Sequence, residues 1–338
     1  MSSDTIRVGI IGCGMITQRS HAPGFAKVGG VTITALCDPV AENAVKVQKE
    51  HAPDARLFSD WRELLKAGLV DAVSVATPVY LHAPMSVAAL EAGCHVLCEK
   101  PMAMSSAEAT GMLAAARQAG KVLQLNLSRR YDPFYQTIAK LIADGRLGEL
   151  RHIRAIRMHT GAPDQGWSPT GTWFVSKKHG GGIVGDIGVH VGDMMLWYFG
   201  AVESISAVTA TRRSDIDVED NATALFRFRS GATGLLELSW TSAVNRMCFE
   251  IHGSDGILLG AAPGEGLQIL RKQGTPEQIP PTQYLQGVKN SFQCFADAIR
   301  GIASSPAPGE VGCAIQVVLD AIRESGRNGG RQVAIAAG

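Results

Sequence analysis

The chain has 338 residues, 46% of them apolar, and its 32 lysines and arginines against 31 aspartates and glutamates leave a formal charge of +1. That length suits about two domains with cores of their own, and the near-neutral balance gives no electrostatic case for nucleic acid or another polyanionic partner. The opening "MSSDTIRVGIIGCG" lacks a basic region followed by an apolar one, and no later stretch is long and apolar enough to span a bilayer, which points to a cytoplasmic protein without a membrane partner.

Through roughly residue 126, short apolar runs alternate with helical ones. "IRVGII" opens the series and is followed by Gly12 and Gly14, where a first strand turns into a first helix. That context gives the Gly-x-Gly pattern its meaning. Gly12 permits the tight turn, Gly14 lets backbone approach a pyrophosphate, and a helix opening with Met15 and Ile16 offers free N–H groups and a positive dipole end. Thr17 stands at the third fingerprint position, usually Gly or Ala, a departure that predicts looser packing of helix on strand. The second run, "VTITALCD", ends on Asp38, where the fingerprint expects an acid to accept from an adenosine ribose. A turn or helix-capping aspartate in "CDP" is the competing reading. An acid there repels a 2′-phosphate, so NAD is favoured over NADP.

"AVSVATP", "HVLCEKP" and "VLQLN" continue the series, with helices from Pro39, Leu81 and Ser105, the last closed by Gly120. Apolar runs without strict alternation suit parallel strands covered on both faces, hence a doubly wound α/β domain. Glu99, Lys100 and Pro101 follow such a strand directly, at the carboxyl edge where ligands of these folds bind. Cys94 and Cys98 flank "HVL", but the seven cysteines show no paired C-x-x-C spacing. "CHVLC" reads as a buried strand with cysteine as a small hydrophobe, and no metal site is assigned.

After Arg130 the pattern changes. A helix is predicted from about Pro133 to Ala143, then a long strand, "RHIRAIRMH". "ISAVTATRR", "NATALFRFRS", "GATGLLELSWTS" and "MCFEIHGSDGILLG" alternate and carry glycine turns, as antiparallel strands do, before helix returns near the C-terminus. Together they predict a second, α+β domain. Between them lies "GGGIVGDIGVH", with three glycines ahead of Asp186 and His190. Gly180 to Gly182 allow flexible backbone or its close approach to a ligand. From about Asp186 to Phe199 the pattern is helical, so Asp186 and His190 share one face, with Asp193 and Trp197 near the same stripe.

"GIIGCG", "CDP", "ATPVYLH", "CEKP" and "GGGIVGDIGVH" stand in an order and spacing that resemble the glucose-fructose oxidoreductase and inositol dehydrogenase (Gfo/Idh/MocA) family over nearly the whole chain. The resemblance implies an NAD-binding Rossmann domain over residues 1–126. It implies a substrate-binding and oligomerisation domain over residues 127–338, with an open, mostly antiparallel sheet that forms a homodimer or homotetramer. It places Lys100, Asp186 and His190 around the nicotinamide and substrate, and implies a cis bond before Pro101. Thr77, Pro78 and His82 match the family's cofactor-contacting loop, with Glu99 and Asn126 on the cofactor side. Arg129 and His159 lie where family members contact nicotinamide or substrate, and Trp173 and Trp167 are candidates to stack on sugar C–H faces.

Oxidising a secondary alcohol removes a hydride from carbon and a proton from oxygen. His190 is the candidate base, because imidazole titrates near neutrality, with Asp186 orienting it and Lys100 hydrogen-bonding the reacting oxygen. The implied activity is an NAD-dependent oxidoreductase of a sugar, cyclitol or related polyol. An NAD-assisted glycoside-cleaving enzyme of the same family and a non-catalytic dinucleotide-sensing regulator are the alternatives.

Overall fold

A computed structural model describes residues 5–166 and 168–336. The chain forms two compact units, Met1–Ser128 with Lys289–Cys313, and Arg129–Val288 with Ala314–Gly338.

The first unit is built on strands β1 (Ile6–Ile11), β2 (Val31–Cys37), β3 (Arg56–Phe58), β4 (Ala72–Val75), β5 (His95–Cys98) and β6 (Leu123–Leu125). They run parallel in the order β3-β2-β1-β4-β5-β6. β4 is buried at every position, which is why its sequence is apolar but for Ser74 and does not alternate with solvent-facing polar residues. The strand order reverses between β1 and β4, so their carboxyl ends frame a crevice, where ligands of open α/β sheets bind. Ser105 caps the Ser106–Ala119 helix by accepting from Glu108 N–H, and Gly120 ends it in the left-handed conformation, as the sequence predicts. β3, only three residues long, gave no period to read.

This unit's core is completed from far along the chain. Phe292, Phe295 and Ala296, on the Ser291–Ile299 helix, pack with Ile10, Phe25 and Leu36. The Phe25 and Phe292 rings meet edge to face at 4.8 Å. A Cβ on Gly24 would come within 2.2 Å of the Phe292 ring, so glycine is required for that contact.

The second unit holds β7 (Leu150–Met158), β8 (Val202–Ala210), β9 (Asn221–Phe228), β10 (Thr233–Ser239), β11 (Arg246–Gly253), β12 (Ile257–Gly260), β13 (Leu267–Leu270), β14 (Glu277–Ile279) and β15 (Val333–Ala334). They form one sheet in the order β14-β13-β12-β11-β7-β10-β9-β8-β15, antiparallel except where β7 meets β10. β9 alternates buried and outward residues along its whole length, the signature of a sheet with one covered face. The Val189–Phe199 helix lies on that covered face, with Phe199 5.1 Å from Phe228 between ring centroids. The predicted Pro133–Ala143 helix is present with those bounds, capped by Asp132. β13, β14 and β15 are short and were not legible as strands.

Candidate active site

At the end of β1, Gly12 has φ +93°, and a Cβ there would fall 2.4 Å from the Ala76 carbonyl oxygen at the end of β4. Only glycine lets the two strand ends close this tightly. Around Gly14 a Cβ would meet nothing within 4 Å, so this backbone is open to an approaching group. The helix begins with Met15 and Ile16 and widens into a π turn over Thr17–His21, where the Ala22 N–H donates to the Thr17 carbonyl. Such turns are rare and frequent at functional sites. Thr17 is fully buried and its hydroxyl donates to the Gly12 carbonyl at 2.6 Å. The expected loosening at the third fingerprint position is therefore not seen: the hydroxyl satisfies itself on the loop.

Asp38 joins the loop after β1 to the turn after β2. Its Oδ2 accepts from the Cys13 N–H at 2.7 Å and its Oδ1 from the Val40 N–H at 2.9 Å. The turn-forming role weighed from sequence is thus present. A carboxylate has about four acceptor positions, so ribose hydroxyls can still be bound there. Burial, with Asp38 alongside, pushes the Cys13 and Cys37 thiols up to about 12, which leaves them inert. Gly12, Gly14, the helix start and Asp38 together fit a dinucleotide.

After β4 come Thr77 and Pro78, and then His82, which is buried with Nδ1 2.8 Å from the Pro101 carbonyl and Nε2 2.8 Å from the Thr77 carbonyl. Its ring ties the loop after β4 to the turn after β5, and burial lowers its pKa. The Lys100–Pro101 bond is cis, as the resemblance implies. Glu99 is buried beside it and accepts from Asn126 Nδ2 at 2.6 Å and from the Lys100 N–H at 3.1 Å, with His21 Nε2 at 2.8 Å. Burial would raise the Glu99 carboxyl, but the bond and charge of His21, the Asn126 amide and the charge of Lys100 hold it down at about 2. His21 Nδ1 meets the Ser74 hydroxyl at 2.7 Å. Neither His21 nor Ser74 was singled out from sequence. They lie far apart along the chain, and no local spacing signals them. Cys94 and Cys98 are buried, and burial raises both thiols, as their place around β5 dictates.

In the second unit, a Cβ on Gly181 would strike the Phe174 carbonyl at 2.3 Å, and one on Gly182, at φ +107°, would strike Glu219 at 2.4 Å. The close approach that these glycines allow is to the chain's own backbone at Trp173 and Phe174 and to Glu219, which Arg323 bonds at 3.1 Å. The segment anchors the helix that follows. That helix starts with a π turn over Val184–Gly188, where Asp186 is buried, and continues as Val189–Phe199 with His190 partly buried on its first turn.

Asp193 and Trp197 on the same helix have a different role. Arg130 bonds both oxygens of buried Asp193, at 2.8 to 3.0 Å, and sits over the Trp197 ring at 5.0 Å. Burial pushes the Asp193 carboxyl up against the pull of Arg130. His159 follows β7, its N–H donating to the Ser239 carbonyl at 2.7 Å. Burial and the charges of Arg157 and Arg129 lower its pKa while Asp186 opposes them, so these groups share one neighbourhood. Arg129 lies over the Tyr135 ring at 5.4 Å. Trp173 is partly buried with its ring 5.5 Å from Phe174, and Trp167 lies outside the described residues.

Residues 6–127 match the model of an oxidoreductase family with an NAD-binding Rossmann fold, and residues 135–259 match the Gfo/Idh/MocA C-terminal domain. Over 315 residues the chain is 30% identical to 1,5-anhydro-D-fructose reductase of Ensifer adhaerens, covering 90% of this chain and 92% of the relative. The chain belongs to the Gfo/Idh/MocA family. It is also 28% identical to D-glucoside 3-dehydrogenase of Escherichia coli (strain K12), over 98% of each chain. Among solved structures it is similar to the WlbA dehydrogenase from Bordetella pertussis in complex with NADH and UDP-GlcNAcA, with TM-score 0.88, 25% identity, and coverage of 99% of this chain and 100% of that one. As a Gfo/Idh/MocA member, the protein has an NAD-binding Rossmann domain over residues 6–127, and among its described residues no helix is long and apolar enough to cross a membrane.

Proposed function

We propose that the protein is an NAD-dependent dehydrogenase acting on a hydroxyl, or at the anomeric carbon, of a sugar or related polyol, with Lys100, Asp186 and His190 as its acid and base groups. The observation that carries the reading is the pairing of an NAD-binding domain, with Lys100 at the carboxyl edge of its sheet, with a second domain presenting Asp186 and His190 four residues apart on one helix. The relatives' names point to sugars: a glucoside dehydrogenase, an anhydrofructose reductase, and a dehydrogenase bound to a nucleotide sugar.

Bound NAD supplies the hydride acceptor. Gly12, Gly14, Met15 and Ile16 hold its pyrophosphate, and Asp38 its adenosine ribose, where the carboxylate would repel a 2′-phosphate and so selects NAD over NADP. Thr77, Pro78, Glu99 and Asn126 shape the nicotinamide side, with His82 positioning the loop. The alcohol proton goes to His190, which Asp186 orients and whose imidazolium it stabilises. Lys100 hydrogen-bonds the reacting oxygen and favours its developing negative charge. Arg129, His159 and Trp173 contact the sugar. The outward face of the second sheet, where Val208 and Leu225 are exposed, supports assembly as a homodimer or homotetramer.

The test is NADH absorbance across a panel of aldoses, uronates, inositols and glycosides, followed by Lys100→Ala and His190→Ala on the best substrate. Each variant is expected to lose about 10²- to 10⁴-fold in kcat/KM while still binding NADH. Near-normal turnover by either variant overturns its assigned role.

A further inference from the structure

Side chains two apart on a strand share a face. On β7 that row runs Ile153, Ala155 and Arg157, with His159 just beyond; Ile153 and Ala155 are fully buried, so the row leads two basic residues out of an apolar core. The cross-strand neighbours of Arg157 are Leu238 on β10 and Met247 on β11. Leu238 is buried and lies under Gly188, the last residue of the π turn that carries Asp186. Met247 meets the Tyr135 hydroxyl at 3.6 Å, and it is over the Tyr135 ring that the Arg129 guanidinium lies, with its Nη1 3.4 Å from Met194. Two guanidinium groups therefore approach one patch from different elements.

Elsewhere in this unit Arg130, Arg154, Arg213 and Arg323 each bond a carboxylate, Asp193, Glu237, Asp164 and Glu219 respectively. Arg129 and Arg157 have no carboxylate bonded to them among the described residues, and the buried Arg157 Nε and His159 Nε2 have no hydrogen-bond partner there. Keeping unpaired charge out of water costs stability, so such an arrangement is expected where a ligand supplies the counter-charge. Arg130 is spent on Asp193, so the charge left on Arg129 and Arg157 is positive and calls for an anion. Arginine forks also match the two oxygens of a planar carboxylate.

We propose that Arg129, Arg157 and His159 form a carboxylate subsite beside Asp186, and that the substrate of this enzyme is a sugar acid, a uronate or aldonate, in place of a neutral sugar. This rests on the dehydrogenase reading above and extends it by naming the substrate class.

The experiment is calorimetric binding to the NADH-loaded protein of two matched pairs, D-glucuronate with D-glucose and D-galacturonate with D-galactose, plus D-glucose 6-phosphate. In at least one pair the acid is expected to bind at least ~10-fold tighter than its neutral partner, a modest return for a charge-assisted bidentate contact. Arg157→Met is expected to bring that ratio close to one, and Arg157→Lys, which keeps the charge and loses the fork, to leave it in between. Equal binding of acid and neutral sugar in both pairs overturns the subsite, as does an unchanged ratio in Arg157→Met, and tighter binding of the phosphate overturns the carboxylate assignment. Should Arg157→Met fail to fold, the wild-type ratios and Arg157→Lys still decide the matter. Arginine-dependent binding of the acid without reduction of NAD leaves the subsite standing and removes the dehydrogenase reading. Turnover without any preference for the acid does the reverse.

Discussion

Two polar clusters, one in each unit, are built in opposite ways. In the first, Glu99 is surrounded by His21, Asn126 and the Lys100 N–H, and His21 reaches on to Ser74, so folding alone meets the buried charge and leaves over only a neutral acceptor, Asn126 Oδ1. In the second, Arg129 and Arg157 stand near each other with Asp186 as the nearby acid, and folding leaves charge over. The first is a scaffold whose charge is met within the fold. The second is a receptor, and its unmet valence describes what it receives.

The sharpest way to break this contrast is to open a closed pair. Asp193→Ala takes the bonded carboxylate away from Arg130 in the core and is expected to cost about 3–5 kcal/mol, read as a lower midpoint in urea; a loss near zero would mean that even the closed pairs here are dispensable. Next comes Glu99→Gln, expected to cost on the order of 2–3 kcal/mol near neutral pH. Its signature is pH dependence. Because the folded carboxyl sits at about 2 against an ordinary 4.5, the stabilisation is complete above pH 4.5 and is lost as pH falls from 4.5 towards 2. Urea titrations of wild type and variant should therefore converge across that window, and a constant gap would contradict a charged Glu99. The smallest effect belongs to the receptor. Arg157→Met should leave stability within roughly 0.5 kcal/mol or raise it, since it removes a guanidinium with no carboxylate bonded to it. A loss as large as that of Asp193→Ala would make Arg157 a structural residue.

What the sequence made legible follows the same division. Five of the six parallel strands, the glycine turn and the cap and stop of the Ser106–Ala119 helix are all local, with period, capping and turn chemistry lying within a few residues. The helix that carries Asp186 and His190 was readable from its local period. The Glu99 network was not, since His21 and Ser74 are 53 residues apart and His21 and Glu99 are 78 apart. Arg157 was overlooked for another reason: in "RHIRAIRMH" it looks like one more charge on a solvated edge, and only strand pairing with Leu238 and Met247 reveals which way its row faces. Thr17 ran against the fingerprint because a hydroxyl able to bond its own loop is invisible to a rule about size.

The helix carrying Phe292 and Phe295 has an evolutionary consequence. A gene fragment stopping at Ser128 would encode all six parallel strands and still lack part of the interior of their fold, since those two rings and Ala296 are needed to fill it. The nucleotide-binding half is thus no portable cassette that recombination can clip out and graft elsewhere. It can be inherited only along with the length of chain that loops away from it and returns.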